Sequence, residues 1–76
     1  MAKFNEMVMN ELAFARGKHP PINCLHEGYA VILEELEEFW EQVRLKRAER
    51  SKEKMLSELV QLAAMAQRTA EDLTLI

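Results

Sequence analysis

The sequence predicts an all-α fold, and three observations lead to that class. Apolar residues recur at intervals of three and four along most of the chain. Over no stretch as long as a strand do apolar and polar residues alternate. Of the two glycines and two prolines, three lie within residues 17–21, which marks one strong break. We therefore expect a short N-terminal helix and then a long antiparallel pair of helices, all within one domain covering residues 1–76.

The first helix is predicted over residues 2–16. One apolar stripe runs along it, formed by Phe4, Val8, Leu12 and Ala15. Gly17 follows at the position where many helices end in a left-handed glycine, and two prolines come soon after. The segment Gly-Lys-His-Pro-Pro-Ile-Asn, residues 17–23, is therefore predicted to be a loop.

The second helix is predicted to begin after Asn23, an expected N-cap, and to continue to about Arg50. Its apolar residues form a narrow sector made of Leu25, Ile32, Leu36, Phe39 and Val43, with Tyr29 and Trp40 at the edge. The last turns of this helix are basic, which suits the negative end of the helix dipole.

The third helix is predicted from an N-cap at Ser51 to about Leu73. Its apolar stripe is formed by Met55, Leu59, Leu62, Ala66 and Leu73. Further apolar residues extend around much of this helix, so one neighbouring helix cannot cover it all. A chain of 76 residues also buries only about 60–65% of the surface of its unfolded form. We therefore expect two protomers to complete a four-helix core, in a homo-oligomer that is a dimer or a tetramer.

Composition excludes several classes of protein. The net charge of −3 is too small for a nucleic-acid-binding protein or one held at a membrane surface by its charge. The single cysteine, Cys24, excludes an intrachain disulfide and a cysteine-based zinc site, and it favours a reducing compartment. No apolar run approaches the length of about 18 residues that spans a bilayer, and the N-terminus lacks the apolar segment of a signal peptide. We therefore expect a cytoplasmic protein without nucleic-acid or membrane partners.

Glutamates are concentrated in the second predicted helix, where six occur between residues 27 and 41 without a lysine or arginine among them. A solvated polar face explains Glu27, Glu37 and Glu41. Glu35 is different, because it lies between the acidic face and the apolar sector. Glu38 follows it by one helical turn, so both carboxylates can approach one point. A divalent cation such as Mg²⁺ would relieve the repulsion between them.

A further glutamate stands out on the third predicted helix. Glu58 lies beside the apolar stripe rather than on the far polar side, where a carboxylate is unfavourable unless something pairs with it. Gln61, Arg68 and Asp72 continue the same flank. Two interpretations remain open. Arg68 pairs with Glu58 or Asp72 in a purely structural network, or the acidic flanks of the two helices hold one metal ion between them.

In these motifs the chain resembles the MazG-like family of all-α nucleoside triphosphate pyrophosphohydrolases, particularly the short members found in phages and prophages. The family pattern is Glu-Glu-x-x-Glu on one helix and Glu-x-x-Asp on the next. The first motif is complete at residues 34–38, and the second appears at residues 58–61 with Gln61 in place of the aspartate. The resemblance extends over KHPPINCLHEGYAVILEELEEFW and ELVQLAAMAQRTAEDL, about half of the chain.

The resemblance implies a reaction and a set of site residues. Family members cleave nucleoside triphosphates between the α and β phosphates, giving a nucleoside monophosphate and pyrophosphate, with Mg²⁺ as cofactor and Mn²⁺ as an expected substitute. The implied metal ligands are Glu35, Glu38, Glu58 and Gln61. The implied catalytic residues are Glu34, Glu35 and Glu38, one of which would orient or deprotonate the attacking water. The expected phosphate-binding residues are Lys18, His19 and Arg68.

Gln61 leaves a second function open. A neutral amide lacks the negative charge with which a carboxylate holds Mg²⁺. The alternative is therefore a non-catalytic helical module that binds a nucleotide or another protein. Titration with Mg²⁺ and nucleotide separates the two hypotheses.

Overall fold

The computed structural model describes residues 3–76, and the regular secondary structure of these residues is entirely helical. The helices are α1 (Phe4–Lys18), α2 (Leu25–Val43) and α3 (Lys52–Asp72), with a short 3₁₀ turn at Arg47–Glu49 before α3. No strand occurs among residues 3–76. The predicted all-α class is therefore confirmed, while residue 2, the expected start of the first helix, lies outside the described residues.

The central element is α3, which packs against both other helices. No Cα atom of α1 comes within 8 Å of a Cα atom of α2, so these two helices lie apart on α3. Gly28 lies against Thr69, and Glu38 lies near Glu58. The start of α2 therefore meets the end of α3, which makes the two helices the antiparallel pair that the sequence predicts.

The apolar core lies between α1 and α3. Its buried members are Val8, Leu12, Ala15, Val60, Ala64 and Met65. Ala64 has no exposed surface, and its small side chain lets α1 approach closely. From α2 the core receives only the partly buried Val31 and Ile32. Most of the fully buried apolar surface therefore comes from two of the three helices.

The first helix extends beyond its predicted end. Gly17 is helical and does not adopt a left-handed conformation, so its prediction as the terminating residue is wrong. The helix ends instead at Lys18, and His19 is extended with φ −127° and ψ 148°. The reason is Pro20, because the ring of a proline disfavours the helical conformation for the residue that precedes it.

The second helix differs from the prediction at both ends. Its N-cap is Cys24, whose Sγ accepts a hydrogen bond from the Glu27 amide at 3.5 Å, rather than Asn23. It ends at Val43 and not near Arg50. The guanidinium of Arg50 donates to the Val43 carbonyl at 2.7 Å and so binds the carbonyl end of the helix. The intervening segment is mostly exposed and buries no apolar face that would keep it helical.

The third helix agrees with the prediction at both ends. The Ser51 hydroxyl caps its N-terminus by accepting from the Lys54 amide at 3.2 Å. Its last residue is Asp72, followed by Leu73 as the C-cap. Among residues 3–76, no helix is both long and apolar enough to cross a membrane.

The apolar stripe predicted on the third helix is wrong. The buried apolar residues of α3 are Val60, Ala64 and Met65, and none of the predicted residues is buried (Met55, Leu59, Leu62, Ala66 and Leu73). The reason is that α3 packs against both α1 and α2, so the faces it buries are set by two neighbours rather than by one stripe.

One apolar face of α2 is not covered within the protomer. It consists of Leu25, Tyr29, Leu33, Leu36 and Trp40, and we call it the open face. Leu25, Tyr29 and Trp40 are 62%, 68% and 56% exposed. The sequence places four of these residues in or beside the core sector, which is wrong for the isolated protomer (Leu25, Tyr29, Leu36 and Trp40). The helix turns Gly28 and Glu35 towards α3 instead, because glycine permits a closer approach than any side chain in the sector.

Candidate metal centre

Three glutamates from two helices converge on one point. One carboxylate oxygen from each of Glu35, Glu38 and Glu58 lies within 4.8 Å of the other two, and we call this group the carboxylate cluster. Glu35 and Glu38 are three residues apart on α2, which places them on adjoining turns of one face. Glu58 enters from α3 because the two helices are antiparallel. The structure therefore brings together the three glutamates that the sequence singles out as metal ligands.

The carboxylate cluster has no positive partner among the described residues. None of its members forms an ion pair with the basic side chains of residues 3–76. Glu35 Oε2 and Glu58 Oε2 are buried and accept no hydrogen bond, whereas Glu38 is exposed. A buried carboxylate oxygen without a partner is unfavourable. These orphaned oxygens are the observation that a bound cation would explain.

The burial and close spacing of the carboxylates also change the pKa values of Glu35 and Glu58. Burial, and then the nearby charge of Glu38, raise the pKa of Glu35 to about 7. Burial and Glu38 also raise the pKa of Glu58. Without a cation, Glu35 therefore retains its proton to a higher pH than an ordinary glutamate does. A divalent cation would displace that proton and neutralise the charge in its place.

The geometry fits a small divalent cation. Oxygens that bind one Mg²⁺ at about 2.1 Å lie roughly 3–4 Å apart, and one oxygen from each of the three carboxylates lies within 4.8 Å of the other two. Mg²⁺ also retains several waters, so three carboxylates at an accessible edge suffice. Mn²⁺ accepts the same oxygen ligands.

Gln61 lies one turn after Glu58 on α3. Its amide nitrogen donates to the Ser57 hydroxyl at 3.2 Å, and the residue lines the cavity described next. Gln61 therefore stands close to the cluster on the same helix, and its part in binding a metal stays a prediction.

A cavity of about 450 Å³ adjoins the cluster, in the valley between α1 and α2 with α3 as its floor. Glu34 and Glu35 form part of one wall, and Lys18 and His19 lie on the other side. Arg68 forms part of the floor. The valley exists because α1 and α2 pack on α3 without meeting. It places Lys18 and His19 across the cavity from Glu34 and Glu35, with Glu11 of α1 also on their side.

Lys18 lies at the rim of this cavity. Its ammonium stands 5.7 Å from the centre of the Phe14 ring, a cation–π distance. Both Lys18 and His19 are exposed, so they are accessible to a solvated anion. Their role in binding phosphate stays a prediction.

Arg68 has a structural role that the sequence already left open. It is only 5% exposed. One terminal nitrogen donates to the Pro20 carbonyl at 2.6 Å, and its Nε lies 3.7 Å from Asp72 Oδ2. Arg68 therefore pairs with Asp72 and not with Glu58, and it fixes the loop after α1 against α3. Arg68 also lines the cavity, and a contact with phosphate would have to involve the small part of its side chain that is exposed there.

A second polar network, which sequence reasoning missed, fixes the same loop. Arg16 forms ion pairs with Glu71 and Asp72 across the α1–α3 interface. Asp72 Oδ2 also accepts from the Ile22 amide at 2.9 Å. The hydrogen bond from Arg16, and then that from Ile22, lower the pKa of Asp72. In the sequence, the network is indicated only by a basic residue near the end of α1, Arg16, and an acidic pair at the end of α3, Glu71 and Asp72. These residues are far apart in the chain, and only the fold brings them together.

Comparison with known proteins does not assign a function to this chain. No protein-family model, curated protein or solved structure matches this chain. The function is therefore inferred from the carboxylate cluster, the adjoining cavity and the motifs in the sequence.

Proposed function

We propose that this protein is a Mg²⁺-dependent nucleoside triphosphate pyrophosphohydrolase of the MazG-like type. The single observation that carries the proposal is the carboxylate cluster, in which Glu35, Glu38 and Glu58 converge without a positive partner. An ion pair would make such a cluster purely structural, and none is present among the described residues. The free thiol of Cys24 suits the reducing cytoplasm in which we expect the enzyme to act.

The cavity supports a triphosphate as substrate. A triphosphate carries about four negative charges, so an acidic wall can receive it only through a cation. Glu35, Glu38 and Glu58 would hold Mg²⁺, which when bound would supply the positive charge that neutralises the polyphosphate. Lys18 and His19 would meet the remaining phosphate charge from the opposite side. Glu11 of α1 also lines the side on which Lys18 and His19 lie, so these two residues are the basic part of a wall of mixed charge.

Glu34 is the residue best placed to act on water. It lines the cavity, is exposed, and stands outside the cluster, so it is not used up in holding the cation. Its carboxylate would accept a proton as the water oxygen attacks the α phosphorus. The bond from the α phosphorus to the bridging oxygen then breaks, and pyrophosphate leaves with that oxygen. The products are a nucleoside monophosphate and pyrophosphate.

The proposed enzyme is a homo-oligomer, either a dimer or a tetramer. The open face of α2 leaves large apolar side chains in water, and Leu59 of α3 is also exposed. Two copies joined through these faces would complete a four-helix core. Sedimentation at micromolar concentration tests this part, and a stable folded monomer would contradict it.

The alternative is a non-catalytic helical module that binds a nucleotide or another protein. The observation that favours it is the open face itself, since exposed apolar surface of this extent marks an interaction site whatever the cluster does. The neutral Gln61 near the cluster points the same way.

Release of pyrophosphate decides between the two functions. Wild-type protein is assayed over a panel of ribo- and deoxyribonucleoside triphosphates with Mg²⁺ or Mn²⁺. Glu38→Ala should lose the activity, whereas Glu37→Ala, a matched loss of charge on the neighbouring exposed residue, should retain it. Background release by the wild type across the whole panel would leave only the interaction module.

A further inference from the structure

Gly28 is the only buried residue of α2, and it lies directly against Thr69 of α3. A Cβ atom at position 28 would stand 2.5 Å from Thr69 Cγ2 and 3.0 Å from Thr69 Oγ1. The first distance is far shorter than a van der Waals contact, and the second is shorter than most contacts that a Cβ atom makes. The two helices can therefore approach this closely only because residue 28 has no side chain.

Thr69 cannot readily turn away from this contact. It is buried, and its hydroxyl donates to the Met65 carbonyl at 2.8 Å. A β-branched side chain in a helix also has few allowed rotamers. Any side chain at position 28 would therefore push the two helices apart rather than displace Thr69.

The contact and the carboxylate cluster lie on the same interface. Gly28 and Glu35 are seven residues apart and so differ by about 20° around α2. Thr69 and Glu58 are eleven residues apart and also differ by about 20° around α3. Gly28 and Glu35 are separated by roughly 10 Å along the helix. A change in the distance between the helices at Gly28 is therefore transmitted to the carboxylates by two continuous helices.

We propose that the Gly28–Thr69 contact is the spacer that sets the distance between α2 and α3, and so holds Glu35 close enough to Glu58 to share one cation. Gly28 and Thr69 are positioning residues, because they act through the helices that carry the carboxylates. The inference rests on the proposed metal site and adds the element that fixes its width.

The test compares Mn²⁺ affinity in four proteins: wild type, Gly28→Ala, Thr69→Ala and the double variant. The added methyl group of Gly28→Ala should weaken Mn²⁺ binding about ten- to a hundredfold, as loss of a residue that orients metal ligands does. Thr69→Ala removes Cγ2 and Oγ1 and leaves only the Cβ, 3.3 Å from the added methyl group. The double variant should therefore bind Mn²⁺ like its Thr69→Ala reference.

A control separates spacing from general loss of stability. Leu12→Ala weakens the buried α1–α3 packing, which lies on the other side of α3. It should lower resistance to denaturant yet keep the Mn²⁺ affinity of the wild type. A loss of affinity in Leu12→Ala as large as that in Gly28→Ala would overturn the inference.

A second measurement needs no cation. Spin labels are placed at the exposed positions Ala30 and Ala66 in a Cys24→Ser background. The distance between them should increase in Gly28→Ala and return in the double variant. An unchanged distance, or an unchanged Mn²⁺ affinity in a folded Gly28→Ala protein, overturns the inference. A wild type that does not bind Mn²⁺ overturns the proposed metal site instead, while the label distance still decides whether the contact is a spacer.

The test also holds where Gly28→Ala alone does not fold. A folded double variant with the label distance and affinity of the Thr69→Ala reference then supports the spacer. A folded double variant with an altered distance or weak affinity contradicts it.

Discussion

The two sides of α3 are packed in different ways. Towards α1, the interface is made of buried apolar side chains and closes with the ion pair between Arg16 and Asp72. Towards α2, it is made of a glycine contact, partly buried apolar residues and three carboxylates, two of which have buried oxygens without partners. The first interface stabilises the fold. The second interface is less stabilising, because it contains unpaired carboxylates, and these are the residues that we propose to be functional.

The carboxylates follow the same division. Asp72, held by Arg16 and the Ile22 amide, has a lowered pKa. Glu35, crowded by burial and by Glu38, has a pKa raised to about 7. One interface therefore favours a charged acid and the other disfavours it, so the two should respond to pH in opposite directions.

The largest effect should come from the apolar interface. Leu12→Ala removes a nearly fully buried side chain, and we expect it to lower the free energy of unfolding by about 2–5 kcal/mol. Leu36→Ala on the open face is the matched control, and in dilute protein it should have a much smaller effect. Urea denaturation measures both. Equal losses would show that the two sides of α3 do not differ as described.

The next largest effect should come from Asp72. Asp72→Asn leaves the Arg16 guanidinium and the Ile22 amide with a weaker acceptor, and we expect a loss of about 1–3 kcal/mol at neutral pH. Because its folded pKa lies below the ordinary 3.8, the carboxylate stabilises the protein above that value. The difference between wild type and variant should therefore disappear as the pH falls through the folded pKa.

Glu71→Gln is the control for this prediction, since Glu71 binds the same arginine from an exposed position. It should change stability far less than Asp72→Asn, because water screens an exposed ion pair. Chemical denaturation at several pH values checks both. A loss in Asp72→Asn that persists unchanged in acid would be inconsistent with this role.

A third prediction concerns Gln61. If the cluster binds Mg²⁺, Gln61→Asp adds a negative charge one turn from Glu58 and should tighten Mg²⁺ binding and raise turnover. Aspartate is one methylene shorter than glutamine, so we expect a gain of at most about tenfold, or 1.4 kcal/mol. Pyrophosphate release at saturating Mg²⁺ measures it. The interaction module predicts background release in both proteins.

The smallest effect should be the pH dependence of the cluster, because its side chains are partly accessible to water. A carboxyl group whose folded pKa is raised favours folding most below its ordinary value of 4.5, and this advantage is lost as the pH rises to about 7. Stability without cations should therefore fall over that range. Saturating Mg²⁺ should reduce the fall, because the cation binds only the folded cluster.

Glu35→Gln should also reduce this fall, whereas Glu37→Gln should leave it in place. Thermal denaturation at a series of pH values, with and without Mg²⁺, checks the prediction. Stability that rises between these pH values in the cation-free wild type would contradict the proposed crowding.

The three helices could be predicted from local sequence patterns. The end of α2 could not, because it depends on a tertiary contact. Ser51 caps α3 as expected, because a hydroxyl before a helix has one obvious partner. Gly17 did not end α1, because the proline three residues later restricts the chain more strongly than a glycine frees it. The end of α2 depends on a side-chain contact from Arg50, which no local pattern announces.

The candidate site was predictable to a similar extent. The convergence of Glu35, Glu38 and Glu58 was one of two interpretations that helical spacing left open, and the resemblance to the MazG-like family favoured it. The valley beside them was not predictable, because it depends on α1 and α2 lying apart on α3. The Gly28 contact was missed for a related reason. The sequence shows a glycine inside α2 but not which residue packs against it, and the role of Gly28 becomes clear only when Thr69 is known to be its neighbour.

The most direct test of the metal centre is calorimetric titration with Mg²⁺, and with Mn²⁺ in parallel. Wild-type protein should bind either ion at a saturable site, Glu38→Ala should abolish binding, and Glu35→Ala should weaken it. Glu37→Ala, equal in charge change and exposed on the same helix, should bind like the wild type, and circular dichroism should show the same helicity in all four proteins. Equal affinity in the wild type, Glu35→Ala and Glu38→Ala would show that the three glutamates do not form a cation site.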